Sequence, residues 1–497
     1  MDKIIISNTT KIRQLLQEEN CSKSSQFFSR LQVLLKIADK REEKVVFLAL
    51  KEKDKIYAAG LFSINKRRTL GFSYSTLYLY GYNFFDYNHF LIVSGFKKDF
   101  LSFIKIFSRT KGVELLIFEN IQKNIAGITW LKKKEYVYSF DKNKSKEGFS
   151  FISSKKSLKR HRNRLINNFK YDVKHFRGKE ISRHLSRLEI LHKERWAFDN
   201  FDSAFNNKKR LFFYDEDLEN RLLTTIFING KILAMHYGMI VEDTLIWHTP
   251  VLNIQYLDFS PIEILLSETA SYCQNHQIQQ LDFGIGTEKY KMRFSNIKED
   301  LYQYYIPISF KATFLIYLSE YIKRTFTISL IKSNLRSTLH KIKSMKNALN
   351  FYYLEKVELI EQVENNEISF KMIRSFSDFV NFRRDNQLIV KRFQYDRLIN
   401  GDYYFCLISD NQILCEGWAT SNPLYMTEVN KTFKHENAYI LYDYHTHENY
   451  RRRGYYKLLL RNIINYLDKN LYIYSLKNNK ASNKAILEVG FKKIKSL

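Results

Sequence analysis

The sequence predicts an α/β fold in which mixed sheets are flanked by helices. Apolar strand candidates alternate with a helix candidate between residues 44 and 118, which is typical of α/β layers. Asn229-Gly230 separates two alternating apolar runs, a strong hairpin pattern. Near the C-terminus, an aromatic-rich strand candidate beginning at Tyr442 runs into a basic, glycine-containing turn and an amphipathic helix.

Length and composition limit the classes of protein to consider. The chain has 497 residues, of which 45% are hydrophobic, enough for about two to four domains with their own cores. No apolar run of about 18 residues is present, so we expect no membrane span, and the N-terminus lacks the apolar core of a signal peptide. The cysteines have neither metal-type nor disulfide-framework spacing. We expect a soluble protein of a reducing cytoplasm.

The net charge of +28 favours an anionic partner, such as CoA phosphates, a nucleic acid, a nucleotide sugar or a membrane surface. A compositional explanation has equal standing. The chain is rich in Lys, Ile, Asn, Phe and Tyr and has only 16 Gly and 4 Pro, which an AT-rich coding sequence would give. The charge alone therefore does not show that the basic surface is functional.

The first elements are two apolar strand candidates, Val45–Leu50 and Ile56–Ser63. A helix candidate at about 98–110 leads to a third strand candidate, Leu115–Phe118. The polar residues at 141–146 mark a domain boundary.

The next segment, 154–179, is heavily basic and has Asp172 as its one acid. Leu158, Leu165, Ile166 and Phe169 recur at near-helical spacing, so its first part reads as a helix with one apolar stripe. The basic side is either a solvated face or a surface for a phosphate-bearing substrate.

A predicted hairpin follows, in which Asn229-Gly230 joins Leu222–Ile228 to Lys231–Gly238. Thr244–Thr249 is another strand candidate. Ser260-Pro261 then opens a helix, with Ser260 as its cap and Pro261 in its first turn.

Residues 311–349 read as a basic amphipathic connector. Its apolar side either lies on an anionic membrane surface or packs on a neighbouring lobe. Beyond it, Tyr403–Ser409 and Gln412–Trp418 form a predicted antiparallel pair around Asp410-Asn411.

The C-terminal turn is typical of an anion site, because a glycine-containing turn before a helix presents backbone N–H groups and a helix N-terminus. Arg451, Gly454 and Tyr456 stand where the GNAT superfamily of acyl-CoA-dependent acyltransferases carries Arg/Gln-x-x-Gly-x-Gly/Ala. Tyr456 departs from that pattern. Asn479 lies eleven residues before Gly490-Phe491, as in the family's closing pattern. The passage therefore resembles a GNAT domain.

The resemblance implies acyl-CoA as cosubstrate, with acetyl-CoA the first choice, and no metal. The residues predicted to bind CoA are Thr446, Arg451, Arg452, Arg453, Gly454, Tyr455, Tyr456 and Asn479.

Acyl transfer from a thioester also needs a group that accepts a proton. Asp443 and His445 are the candidate catalytic residues, since both share strand parity and a His near neutral pKa suits a general base. The alternative is that both are structural or exposed. A frequent GNAT acid is a Tyr four residues before the Gly-Phe pair, but Ile486 stands there.

The N-terminal region, about residues 25–300, resembles in two lobes the acetyltransferase family of cellulose and exopolysaccharide gene clusters, which is related to Fem-type aminoacyl transferases. Gly81 with Asp86-Tyr87 matches a Gly-x-x-x-x-Asp-Tyr element of that family's first lobe. Further matching residues are His192, Arg195, Trp196, Asn229-Gly230, Ser260-Pro261, Asp282–Gly284 and Glu288–Lys291. The resemblance implies substrate-binding roles for His192, Asp282, Glu288, Tyr290 and Lys291.

These observations predict three GNAT-like lobes. The predicted domains are two Fem-like lobes at 1–145 and 146–310, the connector at 311–349, and a complete GNAT domain at 350–497. We expect an N-acyltransferase acting on an amino sugar or related precursor in surface-polysaccharide or cell-envelope assembly, located in the cytoplasm or at the inner face of the membrane.

Two alternatives stay open. One is aminoacyl-tRNA-dependent transfer, in which the basic segments bind RNA. The other makes the N-terminal pair a binding module that tethers the C-terminal enzyme to a membrane-associated glycan complex.

Overall fold

The computed structural model describes residues 1–18, 26–53, 55–69, 72–81, 86–87, 90–93, 95–121, 133–206, 214, 218–314, 349–355 and 367–496. The chain divides into two compact units, one of residues 1–195 with 202–322 and one of residues 196–201 with 323–497. Among the described residues, no helix is long and apolar enough to cross a membrane.

The first unit contains thirteen strands and eight helices in its described part. The strands are β1 (Asp2–Ile6), β2 (Val45–Glu52), β3 (Lys55–Thr69), β4 (Phe72–Leu79), β5 (Leu91–Ile92), β6 (Leu115–Ile121), β7 (Lys133–Asp141), β8 (Tyr171–Arg177), β9 (Arg221–Ile228), β10 (Lys231–Val241), β11 (Thr244–Leu252), β12 (Gln280–Ile285) and β13 (Ile297–Pro307). The helices are α1 (Thr9–Glu18), α2 (Gln26–Lys40), α3 (Lys97–Thr110), α4 (Ser150–Ser153), α5 (Lys156–Asn168), α6 (Leu185–Phe198, its end counted with the second unit), α7 (Pro261–Asn275) and α8 (Lys289–Phe294).

All thirteen strands belong to one sheet, in the order β1-β2-β3-β4-β6-β13-β7-β12-β11-β10-β9-β8 with β5 paired to β3. The pairs β4–β6 and β11–β12 are parallel, and the other pairs are antiparallel. This sheet passes through both predicted N-terminal lobes, so their division at 145/146 stays a prediction.

The described part of the second unit contains nine strands and four helices. The strands are β14 (Leu349–Leu354), β15 (Ser369–Ile373), β16 (Tyr403–Ser409), β17 (Gln412–Thr420), β18 (Leu424–Met426), β19 (Lys431–Phe433), β20 (Ala438–Thr446), β21 (Asn470–Leu476) and β22 (Lys492–Ser496). The helices are α9 (Phe376–Asp385), α10 (Arg392–Ile399), α11 (Tyr455–Tyr466) and α12 (Lys480–Glu488).

Seven of these strands form a sheet in the order β15-β16-β17-β20-β21-β14-β22, in which β20–β21 is the parallel pair. The α11 helix buries Leu459, Leu460 and Ile463 in a core with Phe405 and Leu441 of the sheet. The apolar positions follow one helical face, which explains why the segment docks as an amphipathic helix.

One strand pattern occurs three times in the two sheets. Antiparallel strands lead to a parallel pair joined through a helix, and the second strand of that pair has an antiparallel neighbour from elsewhere in the chain. The three cases are β2-β3-β4-α3-β6 with β13, β9-β10-β11-α7-β12 with β7, and β16-β17-β20-α11-β21 with β14. The α/β class with mixed sheets and flanking helices is thus confirmed.

The predicted turns behave as their residue types suggest. Asn229 and Gly230 have φ values of 48° and 76°, and Asp410 and Asn411 have 48° and 57°, as two-residue hairpins of this twist require. Ser260 is a correction. It precedes α7, but its φ of 53° is left-handed and its side chain makes no capping hydrogen bond.

The basic segments are only partly as predicted. The α5 helix buries Leu158 and Leu165, but Ile166 is exposed, so the apolar stripe is narrower than the spacing indicated. The connector at 311–349 lies outside the described residues except for 311–314 and Leu349, which is the first residue of β14.

Candidate functional site

The turn before α11 has the geometry of an anion-binding site. Gly454 precedes the helix with φ 82°, and Arg452 also has a positive φ of 63°. Arg451, Arg452 and Arg453 are exposed. The first N–H groups of a helix have no intrahelical acceptor, so those of α11 are directed at this basic turn.

A cavity begins where β20 and β21 part. Their parallel pairing runs from Ala438–Asn470 to Leu441–Ile473, although β20 continues to Thr446 and β21 to Leu476. Beyond these pairs, the two strands diverge and a cavity of about 930 Å³ occupies the opening. Its walls from these strands are Tyr442, Asp443, Tyr444, Tyr474, Ser475 and Leu476.

A β-bulge shapes one wall of the cavity. Glu416 pairs with His445 and Trp418 with Tyr442, so the two residues Asp443 and Tyr444 stand opposite Gly417 alone. Asp443 has φ 54°. A Cβ on Gly417 would lie 2.3 Å from the Tyr444 ring, so the glycine makes room for that ring. The bulge interrupts the ladder here and releases backbone groups from pairing.

Acidic groups outnumber basic ones in the cavity wall. The charged lining residues are Asp402, Glu428, Asp443 and Arg397. Arg397 donates to the Asp443 carboxylate at 2.7 Å, and the Tyr442 hydroxyl donates to Asp402 at 2.5 Å. The lining is therefore acidic within a chain of net charge +28.

Tyr456 of α11, with Asn479 and Ser482 at the start of α12, forms another part of the wall. The Asn479 side chain caps α12 by accepting from the Ser482 N–H at 3.1 Å. The Ser482 hydroxyl donates to the Tyr456 hydroxyl at 3.3 Å. Burial raises the pKa of Tyr456, so its hydroxyl is protonated at neutral pH.

The predicted CoA-binding residues thus occupy three places. Arg451, Arg452, Arg453, Gly454 and Tyr455 form the turn and the start of α11, while Tyr456 and Asn479 line the cavity. Thr446 ends β20, where its hydroxyl donates to Cys415 Sγ at 3.3 Å and its carbonyl accepts from Arg451 Nε. Their ligand contacts stay predictions.

The bulge separates the two candidate catalytic residues, Asp443 and His445. Because it adds a residue, strand parity does not carry through it. Asp443 lines the cavity, whereas His445 is exposed, its ring lies 5.1 Å from that of His447, and the described lining does not include it. Strand parity therefore gives no ground for a shared orientation of Asp443 and His445, and their catalytic roles stay predictions.

Glu416 of β17 pairs with His445 near the C-terminal end of β20 and fixes that end through its side-chain contacts. It accepts from Arg383 at 2.9 Å and from the Tyr404 hydroxyl, and His447 Nε2 lies 3.6 Å away. Burial works to raise the pKa of Glu416, but His447, Arg383 and Tyr404 together lower it to about 2. Glu416 is therefore an ionised structural anchor. Ile486, at the place of the frequent GNAT acid, is fully buried in the apolar core.

In the first unit, four predicted substrate-binding residues lie on β12 or just after it. Asp282 accepts from the Tyr87 hydroxyl and from the Gly284 N–H, and burial raises its pKa. Lys291 is buried, pairs with Glu288 at 3.2 Å and donates to the Ile285 carbonyl. Tyr290 is the fourth member, and burial raises its pKa.

His192 has other partners. Its Nδ1 lies 2.8 Å from Ser203 Oγ and its ring packs on Phe205. Burial, with a smaller effect of His248, lowers the pKa of His192 to about 4, so the ring is neutral at physiological pH. These contacts are those of a packed structural histidine, and a substrate role stays a prediction.

Family comparisons agree with this geometry. Residues 371–491 match the family described as "Acetyltransferase (GNAT) family", and residues 153–292 match that described as "Acetyltransferase (GNAT) domain". The chain carries two GNAT acetyltransferase domains. The GNAT resemblance of the C-terminal turn is confirmed, and the protein is an acyltransferase by class. Within the described residues, no group of three or more His, Cys, Asp or Glu side chains is placed to hold a metal.

Similar solved structures cover more of the chain than either family match does, but their sequence identity to it is low. "FemX" is 10% identical over 61% of this chain and 97% of its own, with a TM-score of 0.43. "L-PGS from Bacillus licheniformis" is 12% identical over 62% and 96%, with a TM-score of 0.39. A "Tandem GNAT protein from the clavulanic acid biosynthesis pathway" is 7% identical over 62% and 99%, with a TM-score of 0.34. A comparison with curated proteins gives no match.

Several residues that line the cavity could not be predicted from any pattern in the sequence. Arg397 at the end of α10 and Asp402 just after it are neighbours in the chain, whereas Glu428 lies between β18 and β19, and only the fold brings them to the same cavity as Asp443. Tyr442 and Tyr444 flank Asp443, so their place beside the cavity could have been suspected from the strand assignment. Ser482 stands three residues after Asn479, the spacing of a helix cap contact.

Proposed function

We propose that the C-terminal GNAT domain transfers an acyl group, which we take to be acetyl, from acyl-CoA to the amine of an amino sugar or related precursor. The observation that carries this proposal is the basic turn at the N-terminus of α11, next to the opening between β20 and β21. A helix N-terminus with converging cations suits the pyrophosphate of CoA.

The residues of the turn fit that ligand. Arg451 to Arg453 are exposed, and no atom lies within 4 Å of a Cβ built on Gly454, so the approach to the backbone is open. Acyl-CoA would supply the activated thioester. The opening between the strands is where the acyl end would enter the cavity, because it lies beside the same helix.

The cavity wall supports an amine acceptor. Asp402, Glu428 and Asp443 outweigh Arg397, so the cavity favours a cation over an anion. Asn400, Asn422 and Thr420 add amide and hydroxyl groups, which match sugar hydroxyls in donor and acceptor type. Tyrosines in the wall offer flat apolar surface beside these polar groups.

The chain's own groups can assist the transfer at two points. Backbone N–H groups released at the bulge are suited to stabilise charge on the thioester oxygen. Asp443, which lines the cavity, or His445, which lies two residues further along β20, would accept the proton that the attacking amine loses. The departing thiolate takes up a proton from solvent, and the base returns its proton to solvent, so proton loss and gain balance.

For the N-terminal lobes, we propose acceptor selection or transfer of a second acyl group. The pathway would be surface-polysaccharide or cell-envelope assembly, with the protein in the cytoplasm or at the inner face of the membrane. The polar residues on and just after β12, which are Asp282, Glu288, Tyr290 and Lys291, support a second polar site.

Aminoacyl-tRNA-dependent transfer is the second candidate, because Lys159, Arg160 and Arg164 of α5 are exposed. RNA that co-purifies and dissociates steeply with salt would favour it.

The decisive experiment is calorimetry of acetyl-CoA with Gly454→Glu and Gly454→Lys. Both variants put a side chain at a left-handed position, so they share its strain and differ in charge. We expect Gly454→Glu to weaken binding at least about tenfold relative to Gly454→Lys, because a carboxylate then faces the phosphates. Equal affinity in both variants, or no binding by the unmodified protein, would contradict the CoA site.

A further inference from the structure

Tyr456 stands where the resemblance expects Gly or Ala, and the structure shows what the larger residue does. Its ring lies 5.7 Å from the Tyr444 ring, and both line the cavity. Its hydroxyl meets the Ser482 hydroxyl at the start of α12. The side chain therefore spans from the first turn of α11 to the first turn of α12 along the cavity wall.

The contact with Ser482 does not use the hydroxyl hydrogen of Tyr456, which is therefore available to another group. A phenolic hydroxyl has one hydrogen to donate and lone pairs to accept. In the contact with Ser482, the serine donates and Tyr456 accepts. The bond orients the phenol and leaves its own hydrogen to be given to an acceptor in the cavity.

The position of Tyr456 indicates what that acceptor is. The phosphates would lie at the helix N-terminus by Gly454, two residues earlier in the chain. The part of acyl-CoA joined to the phosphates is the pantetheine arm, an extended chain with two amide carbonyls. That arm must pass Tyr456 if the acyl group is to reach the bulge at Asp443.

We propose that the Tyr456 hydroxyl, oriented by Ser482, donates a hydrogen bond to an amide carbonyl of the pantetheine arm. Tyr456 is then a specificity-determining residue, which favours CoA over nucleotides that have the same phosphates and no arm. The Tyr444 and Tyr456 rings form the flanking apolar surface. This inference rests on the proposed CoA site.

The test compares two ligands by calorimetry in the full-length protein. One is CoA, and the other is adenosine 3′-phosphate 5′-diphosphate, which is CoA without its pantetheine arm. Tyr456→Phe keeps the ring and removes the hydroxyl. We expect it to weaken CoA binding about fivefold, the worth of one hydrogen bond, and to change nucleotide binding less than about twofold. Ser482→Ala should weaken CoA binding by a smaller factor.

Tyr466→Phe is the matched control, because Tyr466 lies on the same helix with 47% of its surface exposed, outside the cavity lining. It should bind both ligands as the unmodified protein does. Unchanged CoA affinity in Tyr456→Phe, or equal weakening of both ligands, would overturn the role of Tyr456 while leaving the CoA site in place. An unmodified protein that binds neither ligand would overturn both proposals.

Discussion

At the scale of single residues, Glu416 shows how the site is held. It connects Arg383 of α9, Tyr404 of β16 and His447, which lies just before the basic turn that precedes α11. The side chains of Arg383 and Glu416 are only 10% and 18% exposed, so solvent screens the pair weakly. Removing one partner would leave the other charge buried and unpaired.

We expect Glu416→Gln to lower the free energy of unfolding by about 3 kcal/mol at pH 7, since the pKa of Glu416 falls from 4.5 to about 2 on folding. A depressed carboxyl pKa stabilises the fold above the unfolded pKa. The difference between the two proteins should therefore shrink as pH falls from about 5 to about 2.

Denaturant unfolding at pH 7 and at lower pH measures this difference. Glu448→Gln is the control, because the Glu448 side chain is 82% exposed and its pair with Arg451 lies on the surface. A pH-independent difference for Glu416→Gln would show that shape, and not charge, makes Glu416 important.

At the scale of elements, β14 completes the C-terminal sheet from outside the matched segment. It pairs with β21 on one side and β22 on the other. The family match covers 371–491 and so omits this strand. Without β14, β21 would lose one neighbour, and β22 would have no partner among the described strands.

A fragment test follows from this pairing. We expect the fragment 349–497 to unfold cooperatively. The fragment 367–497 should be destabilised or unfolded, because it loses the burial of Phe351 and Tyr352 and two ladders of hydrogen bonds. Circular dichroism during thermal unfolding would measure the difference. Both fragments lack residues 196–201 of the second unit, so the loss of that segment affects the two fragments equally. Equal stability would show that β14 is dispensable.

At the scale of the whole molecule, the same strand pattern has three different helix entrances. Gly95–Asp99 leads into α3, Leu257–Pro261 into α7 and Arg451–Gly454 into α11. The third entrance has three arginines and no acid, whereas the other two contain Asp99 and Asp258. The repeated strand pattern therefore does not imply that all three copies bind the same ligand. We expect CoA at the third entrance, before α11.

Hydrogen exchange with and without acetyl-CoA would locate that ligand. Because binding stabilises the elements it contacts, we expect slower exchange in β20, α11 and β21 and little change in β11, α7 and β12. The reference is the protein without CoA, with its cysteines kept reduced by dithiothreitol. Protection confined to β11, α7 and β12 would move the donor site to the other GNAT domain.

Local patterns in the sequence were enough to predict the α/β class, the Asn229-Gly230 hairpin, the helix after Gly454 and the basic turn before it, and the resemblance to GNAT motifs added the family. These features depend on neighbours in the chain, whose turn chemistry and periodicity are visible in the residues themselves. Tertiary structure decided the rest. The bulge at Asp443 depends on pairing with β17, the acidic cavity joins residues from 349 to 482, and β14 enters the sheet from before the matched segment. Such contacts are set by long-range packing, and no short pattern encodes them.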